Sequence, residues 1–158
     1  MKYLLIVAVY LSFPAFAQTK SIPMKSELQI MQQEIIAVRY IVTDVDAAVA
    51  FYTDLLGFKV NKHPGPGFAD ISIGNLHLLL NKPGGGGGSG QSMPDGAIPA
   101  PGGWNRIQLQ VKDLSATVDH LKSKGAQFRN NIVIGNGGDQ ILLKDPSGNL
   151  IELFQPKP

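Results

Sequence analysis

The sequence contains no cysteine. No disulfide can brace the fold, and no lipid can be attached through a thiol. That absence does not by itself assign a redox compartment. Charge is also sparse. Charged residues make up 16% of the 158, and the formal net charge is +2. So slight a balance offers no footing for nucleic acid or for an anionic membrane surface. Tryptophan occurs once, as Trp104. Apolar residues are not scarce: at 44% they suffice for one packed core, and general disorder is not expected.

Residues 1–17 read as a secretory signal. Met1-Lys2 supplies a positive start, Tyr3 to Phe16 is apolar but too short for a convincing span, and Ala15-Phe16-Ala17 is an A-x-A-type cleavage site. A retained N-terminal anchor is the alternative. Cleavage would leave Gln18 first and remove Lys2, taking 14 basic residues to 13 against 12 acids, a net charge of +1. The expectation is export, to a periplasm or beyond, with no membrane attachment afterwards. Residues 18–35 read as a polar arm, in which Met24 to Ile35 could form a weak amphipathic helix.

From Ile36 onward the pattern is regular. Val38, Tyr40 and Val42 alternate with Ala37, Arg39 and Ile41, as in a strand with one apolar face. Asp44 is a plausible N-cap for a helix over Val45–Leu56, with Gly57 at C′. Strands are expected over Phe58–Asn61, Phe68–Ile73 and Leu76–Asn81. Pro64-Gly65-Pro66-Gly67 reads as a turn, and Gly74-Asn75 as a type II′ turn. Residues 83–103 are Gly- and Pro-rich and read as a flexible connector. They lack the Gly-Lys-Ser/Thr and following helix that a phosphate-cradling loop needs.

The order then returns: a strand over Arg106–Val111, a cap at Lys112-Asp113, a helix over Leu114–Lys124 with Gly125 after it, and a strand from Phe128. A Gly137-Gly138 turn and strands over Gln140–Leu143 and Leu150–Phe154 complete it. Val42-Thr43-Asp44-Val45 lies over Val111-Lys112-Asp113-Leu114, and Gly57 over Gly125. The chain is thus read as an α+β protein of two βαβββ modules, 36–82 and 104–155, in one domain spanning 36–155. Neither half is large enough for a comfortable core of its own.

Glu152 stands alone among apolar residues on the last strand, after the tight turn Asp145-Pro146-Ser147-Gly148. It faces water or a cavity with a partner. Arg106, Gln108 and Gln110 share one face of their strand. His63 and His120 read as surface residues. Trp104 and Phe68 line a cavity mouth or belong to the core.

Val42-Thr43-Asp44-Val45-Asp46, Phe51-Tyr52-Thr53-Asp54-Leu55-Leu56-Gly57-Phe58 and Asp145-Pro146-Ser147-Gly148-Asn149-Leu150-Ile151-Glu152-Leu153 resemble the vicinal oxygen chelate superfamily. Its members include glyoxalase I, extradiol dioxygenases and bleomycin- and fosfomycin-resistance proteins. The resemblance implies a curled mixed sheet, an open barrel around a cavity, with the helices outside and a homodimer as the common assembly. Metal-dependent members take ligands from the first and last strands of each module. Carried over, those positions fall on Ala37, Arg106, His77 or Leu78, and Glu152. Alanine cannot ligate and arginine is a permanent cation, so the metal site is expected to be largely lost. No cofactor is then expected; a divalent metal on His77 and Glu152 is the alternative. The expected function is binding of a small organic ligand by Arg39, His77, Arg106, Gln108, Gln110 and Glu152. Arg106 and Glu152 should pair on a floor walled by Ile41, Leu79 and Phe154. The competing reading is a metal-dependent lyase or isomerase of the glyoxalase type.

Overall fold

Each module opens with a strand that runs straight into an aspartate-capped helix. The computed structural model describes residues 35–85 and 88–158. The expected signal and, apart from Ile35, the arm lie outside the described residues. In the first module β1 (Ile36–Ile41) leads into α1 (Val45–Leu56), β2 (Lys59–Gly65), β3 (Phe68–Ile73) and β4 (Leu76–Asn81). In the second, β5 (Arg106–Gln110) leads into α2 (Leu114–Ser123), β6 (Gln127–Phe128), β7 (Val133–Ile134), β8 (Gly138–Lys144) and β9 (Leu150–Pro156). The caps explain both helix starts: the carboxylates of Asp44 and Asp113 accept from the amides of Ala47 and Ala116 at 3.0 and 2.9 Å. Gly57, at φ 73°, ends α1 in the left-handed region that glycine enters without strain.

The strands form two mixed sheets. The first has the order β1-β4-β3-β2. The second has β5-β9-β8-β6, with β7 also paired to β8. In each, the first strand runs parallel to the last. The repeat therefore recurs as topology: the first module is βαβββ, and the second follows the same plan with β6 and β7 both pairing β8 where the first has β2 alone on β3. β1 and β5 are not paired by a backbone ladder; the phenol of Tyr40 joins them instead. Its hydroxyl accepts from the Ile107 amide at 2.9 Å and donates to the Leu150 carbonyl at 2.8 Å.

Helices and sheets meet in one core that runs through both modules. Tyr40, Val42, Ala48, Tyr52, Ile71, Leu78 and Leu80 from the first module pack in the same cluster as Ile107, Leu114, Val118, Leu121, Ile141, Leu143, Ile151 and Leu153 from the second. Burying one such aliphatic side chain contributes about 1.5–3 kcal/mol, so the shared core is worth more than either half alone. The faces turned from this core carry the polar residues.

Several boundaries differ from the sequence reading. β2 continues through Pro64 and Gly65, and only Pro66-Gly67 turns. It is an edge strand, where a proline costs no ladder bond. Gly138 opens β8 instead of ending a turn, and β7 was not foreseen. The Gly74-Asn75 turn has φ 56° at the glycine and no positive φ at the asparagine, the signs of type II′. The helix expected over Leu114–Lys124 ends at Ser123, with Lys124 as its cap.

Candidate functional site

Strand alternation sets which side chains share the polar face. In the first module that face carries Ala37, Arg39 and Ile41 from β1, His77, Leu79 and Asn81 from β4, and Phe68, Asp70 and Ser72 from β3. Their rows follow the ladders: Ala37 beside His77 and Ser72, Arg39 beside Leu79 and Asp70, Ile41 beside Asn81 and Phe68. In the second module Gln108 lies beside Glu152 and Leu142.

This register corrects one expected position. By the repeat, Arg39 corresponds to Gln108, and the β4 residue beside Arg39 is Leu79 just as the β9 residue beside Gln108 is Glu152. The counterpart of Glu152 is thus Leu79, neither His77 nor Leu78. Leu78 points into the core and is fully buried. The hairpin loops differ in length, and alignment through Gly74-Asn75 and Gly148-Asn149 slips for that reason.

Glu152 is buried, and both its oxygens are taken. Arg106 Nε donates to Oε2 at 2.6 Å and Gln108 Nε2 donates to Oε1 at 2.8 Å. A carboxylate so placed accepts charge-assisted bonds and needs no other partner. Arg106 is still a third exposed at its side chain and also reaches the Trp104 carbonyl at 3.3 Å. Gln110 shares their face and is exposed. Trp104 is not core: it is exposed, with the Arg129 guanidinium 4.3 Å from its ring centroid.

His77 has a separate set of partners. Its Nδ1 lies 2.9 Å from Asp70 Oδ1, which also accepts from Asn61 Nδ2 at 3.1 Å. A carboxylate acceptor places the hydrogen on Nδ1 and leaves Nε2 as the basic nitrogen of the neutral ring. His63 pairs with Asp46 at 2.9 Å, and His120 is exposed on α2.

A cavity of about 500 Å³ opens on the first module, bounded by Arg39, Asn81, Phe68, the Pro64–Gly67 segment and Ser89. Its charged group is Arg39, not the expected Arg106–Glu152 floor. Of the expected site residues, only Arg39 lies on it. Arg39 Nη1 donates to Asn81 Oδ1, and Asn81 is 2% exposed. The connector forms part of the wall. The Gly84 amide donates to the Gly90 carbonyl at 2.7 Å and the Lys82 amide to the Gly67 carbonyl at 3.1 Å. A Cβ at Gly90 would run into the Lys82 carbonyl, so the close approach itself demands glycine there.

The turn at Asp145 holds the two modules in place. Asp145 Oδ1 accepts from the amides of Ser147 and Asn149 at 2.9 and 2.8 Å, and Oδ2 from Asn149 Nδ2 and the Tyr52 hydroxyl at 2.9 and 3.2 Å. Asn149 Nδ2 also donates to the Ile41 carbonyl at 2.9 Å, and Asn149 Oδ1 accepts from the Gly102 amide at 2.8 Å. One asparagine thereby touches β1, the connector and the last hairpin. Burial pushes the Asp145 carboxyl up from its ordinary value, while bonds from Asn149, Ser147 and Tyr52 pull it back. Burial, and then the Asp145 charge, push the Tyr52 hydroxyl well above its ordinary value, so it stays a donor.

The positions at which the resemblance expects metal ligands hold, by this register, Ala37, Leu79, Arg106 and Glu152. Two are apolar, one is a fixed cation, and the carboxylate is committed to that cation. Among the described residues, no three or more His, Cys, Asp or Glu side chains gather as metal ligands, and no helix is long and apolar enough to cross a membrane.

The sequence pattern of the Glyoxalase/Bleomycin resistance protein/Dioxygenase superfamily matches residues 34–153. "Putative glyoxylase CFP32" of Mycobacterium bovis is 31% identical over 115 residues, covering 72% of this chain but 42% of that protein. The chain thus spans under half the length of this curated relative. Lactoylglutathione lyase from Agrobacterium tumefaciens superposes with a TM-score of 0.59 at 20% identity, covering 83% of this chain and 96% of that one. TnmS3, an antibiotic binding protein from Streptomyces sp. CB03234, gives 0.62 at 21% identity, covering 82% and 100%. At such identities the structures attest the fold alone. The match over residues 34–153, in a chain of two modules that each join one helix to a mixed sheet, establishes that this protein belongs to the Glyoxalase/Bleomycin resistance protein/Dioxygenase superfamily.

Proposed function

We propose that this chain is a ligand-binding member of the superfamily that holds a small organic molecule without a divalent metal. The observation that carries the reading is the 2.6 Å bond from Arg106 to Glu152. The carboxylate left at a family ligand position is neutralised by its neighbour, and the neighbour's charge opposes a dication. Arg39, Gln108 and Gln110 leave polar, non-ligating groups on the sheet faces, as suits an organic partner. TnmS3 is described as an antibiotic binding protein, so this fold serves binding in at least one relative.

Metal analysis of the purified protein after incubation with Zn²⁺, Ni²⁺, Mn²⁺ or Fe²⁺ and desalting tests the reading, with no stoichiometric metal expected. Metal retained at one equivalent, and lost on changing Glu152 or His77, would put the glyoxalase-type lyase or isomerase first. One feature favours that second reading: Asp70 orients His77 as a base needs.

Two further parts of the proposal concern assembly and place. Arg106, Gln108 and Gln110 are exposed, and β2 is an unpaired sheet edge. A second copy covering the polar faces would protect both, so a homodimer is expected by light scattering at micromolar concentration; a monomer there refutes it. Residues 1–17 direct export, and the mature form should begin at Gln18 by N-terminal mass analysis. Met1 retained on exported protein would overturn removal.

A further inference from the structure

We infer that the 500 Å³ cavity on the first module takes a monocarboxylate with a flat apolar body, and that the connector between the modules is part of its binding site. The inference rests on the ligand-binding reading above and narrows it to one site and one chemical class.

The charge of the cavity points to an anion. Among the described residues that line it, Arg39 is the one that carries a charge. The acid nearest along the ladder, Asp70, is already bonded to His77 and Asn61. Arg39 is also held in place. Its Nη1 is bound to Asn81, a side chain buried in the sheet, so part of the guanidinium is anchored while its other donors remain for a ligand. A planar fork fixed at one end suits a carboxylate, whose two oxygens accept side by side.

The walls select the rest of the molecule. Phe68 offers an aromatic ring and Pro64 and Pro66 offer apolar surface without amide donors. Ser89, from the connector, adds one hydroxyl. A cavity of this volume, lined by one cation together with Phe68 and two prolines, matches an aromatic acid better than a bare inorganic anion. The connector is built for close approach here: Gly85 sits against the carbonyls of Gly67 and Lys82, where a Cβ would come within 2.9 Å of each. Gly85 thus packs against the β2–β3 turn, and Ser89 shares the cavity lining with that turn.

The test uses the unmodified full chain first. Melting temperature is followed against phenylacetate and 2-naphthoate, their methyl esters and inorganic phosphate. Dose-dependent stabilisation is expected from the acids, with the esters weaker by at least about tenfold in Kd and phosphate without effect. Arg39→Gln should abolish the preference for acid over ester, and Arg39→Lys, which keeps the charge but not the fork, should retain part of it. Ser89→Trp, at the connector residue that lines the cavity, should weaken the acids while leaving Arg39 in place. Esters binding as well as acids would overturn the anion assignment while leaving a ligand-binding function intact. No binding by any of these compounds, or binding unchanged in Arg39→Gln and Ser89→Trp, would overturn the site itself.

Discussion

Arg106 and Glu152 form one bond but do not stand to lose equally. Glu152 is 7% exposed at its side chain and Arg106 33%. Removing Arg106 strands a buried carboxylate with Gln108 as its remaining side-chain partner. Removing Glu152 leaves a guanidinium that can turn to water. Arg106→Ala should therefore cost about 1–3 kcal/mol, and Glu152→Gln distinctly less, in urea unfolding. The full penalty of a wholly buried pair, about 3–5 kcal/mol, is not expected here, because one partner reaches solvent. Equal losses from the two changes would show that Arg106 is as desolvated as Glu152. The pair itself was legible in the sequence through the family resemblance, which puts Arg106 and Glu152 at neighbouring ligand positions. Arg39 was legible as a polar-face residue but not as the charged lining of this cavity. The walls beside it come from Pro64–Gly67 and Ser89, segments with no periodicity to read.

At the scale of elements, helices and caps were easiest to foresee, because Asp44, Asp113 and Gly57 act on their nearest neighbours in the chain. The register of β4 was not. It depends on a ladder to β1 across some forty residues, and on loops of unequal length in the two modules. β7, two residues long, carries no alternation at all. The Asp145 turn was recognised by its residues, yet its reach to Tyr52, Asn149 and the connector is purely tertiary. It has a pH signature. The Asp145 carboxyl is raised by burial above its ordinary 3.8. The folded state then takes up this proton before the unfolded state does. Its contribution is greatest below pH 3.8 and declines as pH rises through the raised folded value. Asp145→Asn cannot titrate, and it loses acceptors that the turn uses. Its stability deficit, about 1–3 kcal/mol, should be widest at the acid end and narrow as pH rises through that window. Urea unfolding at stepped pH measures this, and a deficit that widens with rising pH would contradict it.

For the molecule as a whole, the two modules are held by things other than the chain that links them. The core runs through both, Tyr40 bonds to Ile107 and Leu150, Thr43 to Ser147 at 2.9 Å, and Asn149 to Ile41. The connector between Gln91 and Ala97 is exposed throughout. Chain continuity there is thus a convenience of synthesis and not a structural member. A protease site placed between Ser92 and Met93 and then cut should yield two fragments that travel together through native gel filtration and part in urea. Separation under native conditions would mean that the covalent link supplies what the core and the Asn149 contacts do not. If they stay together, the protein behaves after cutting as a heterodimer of its own halves, and each half can be replaced without remaking the other.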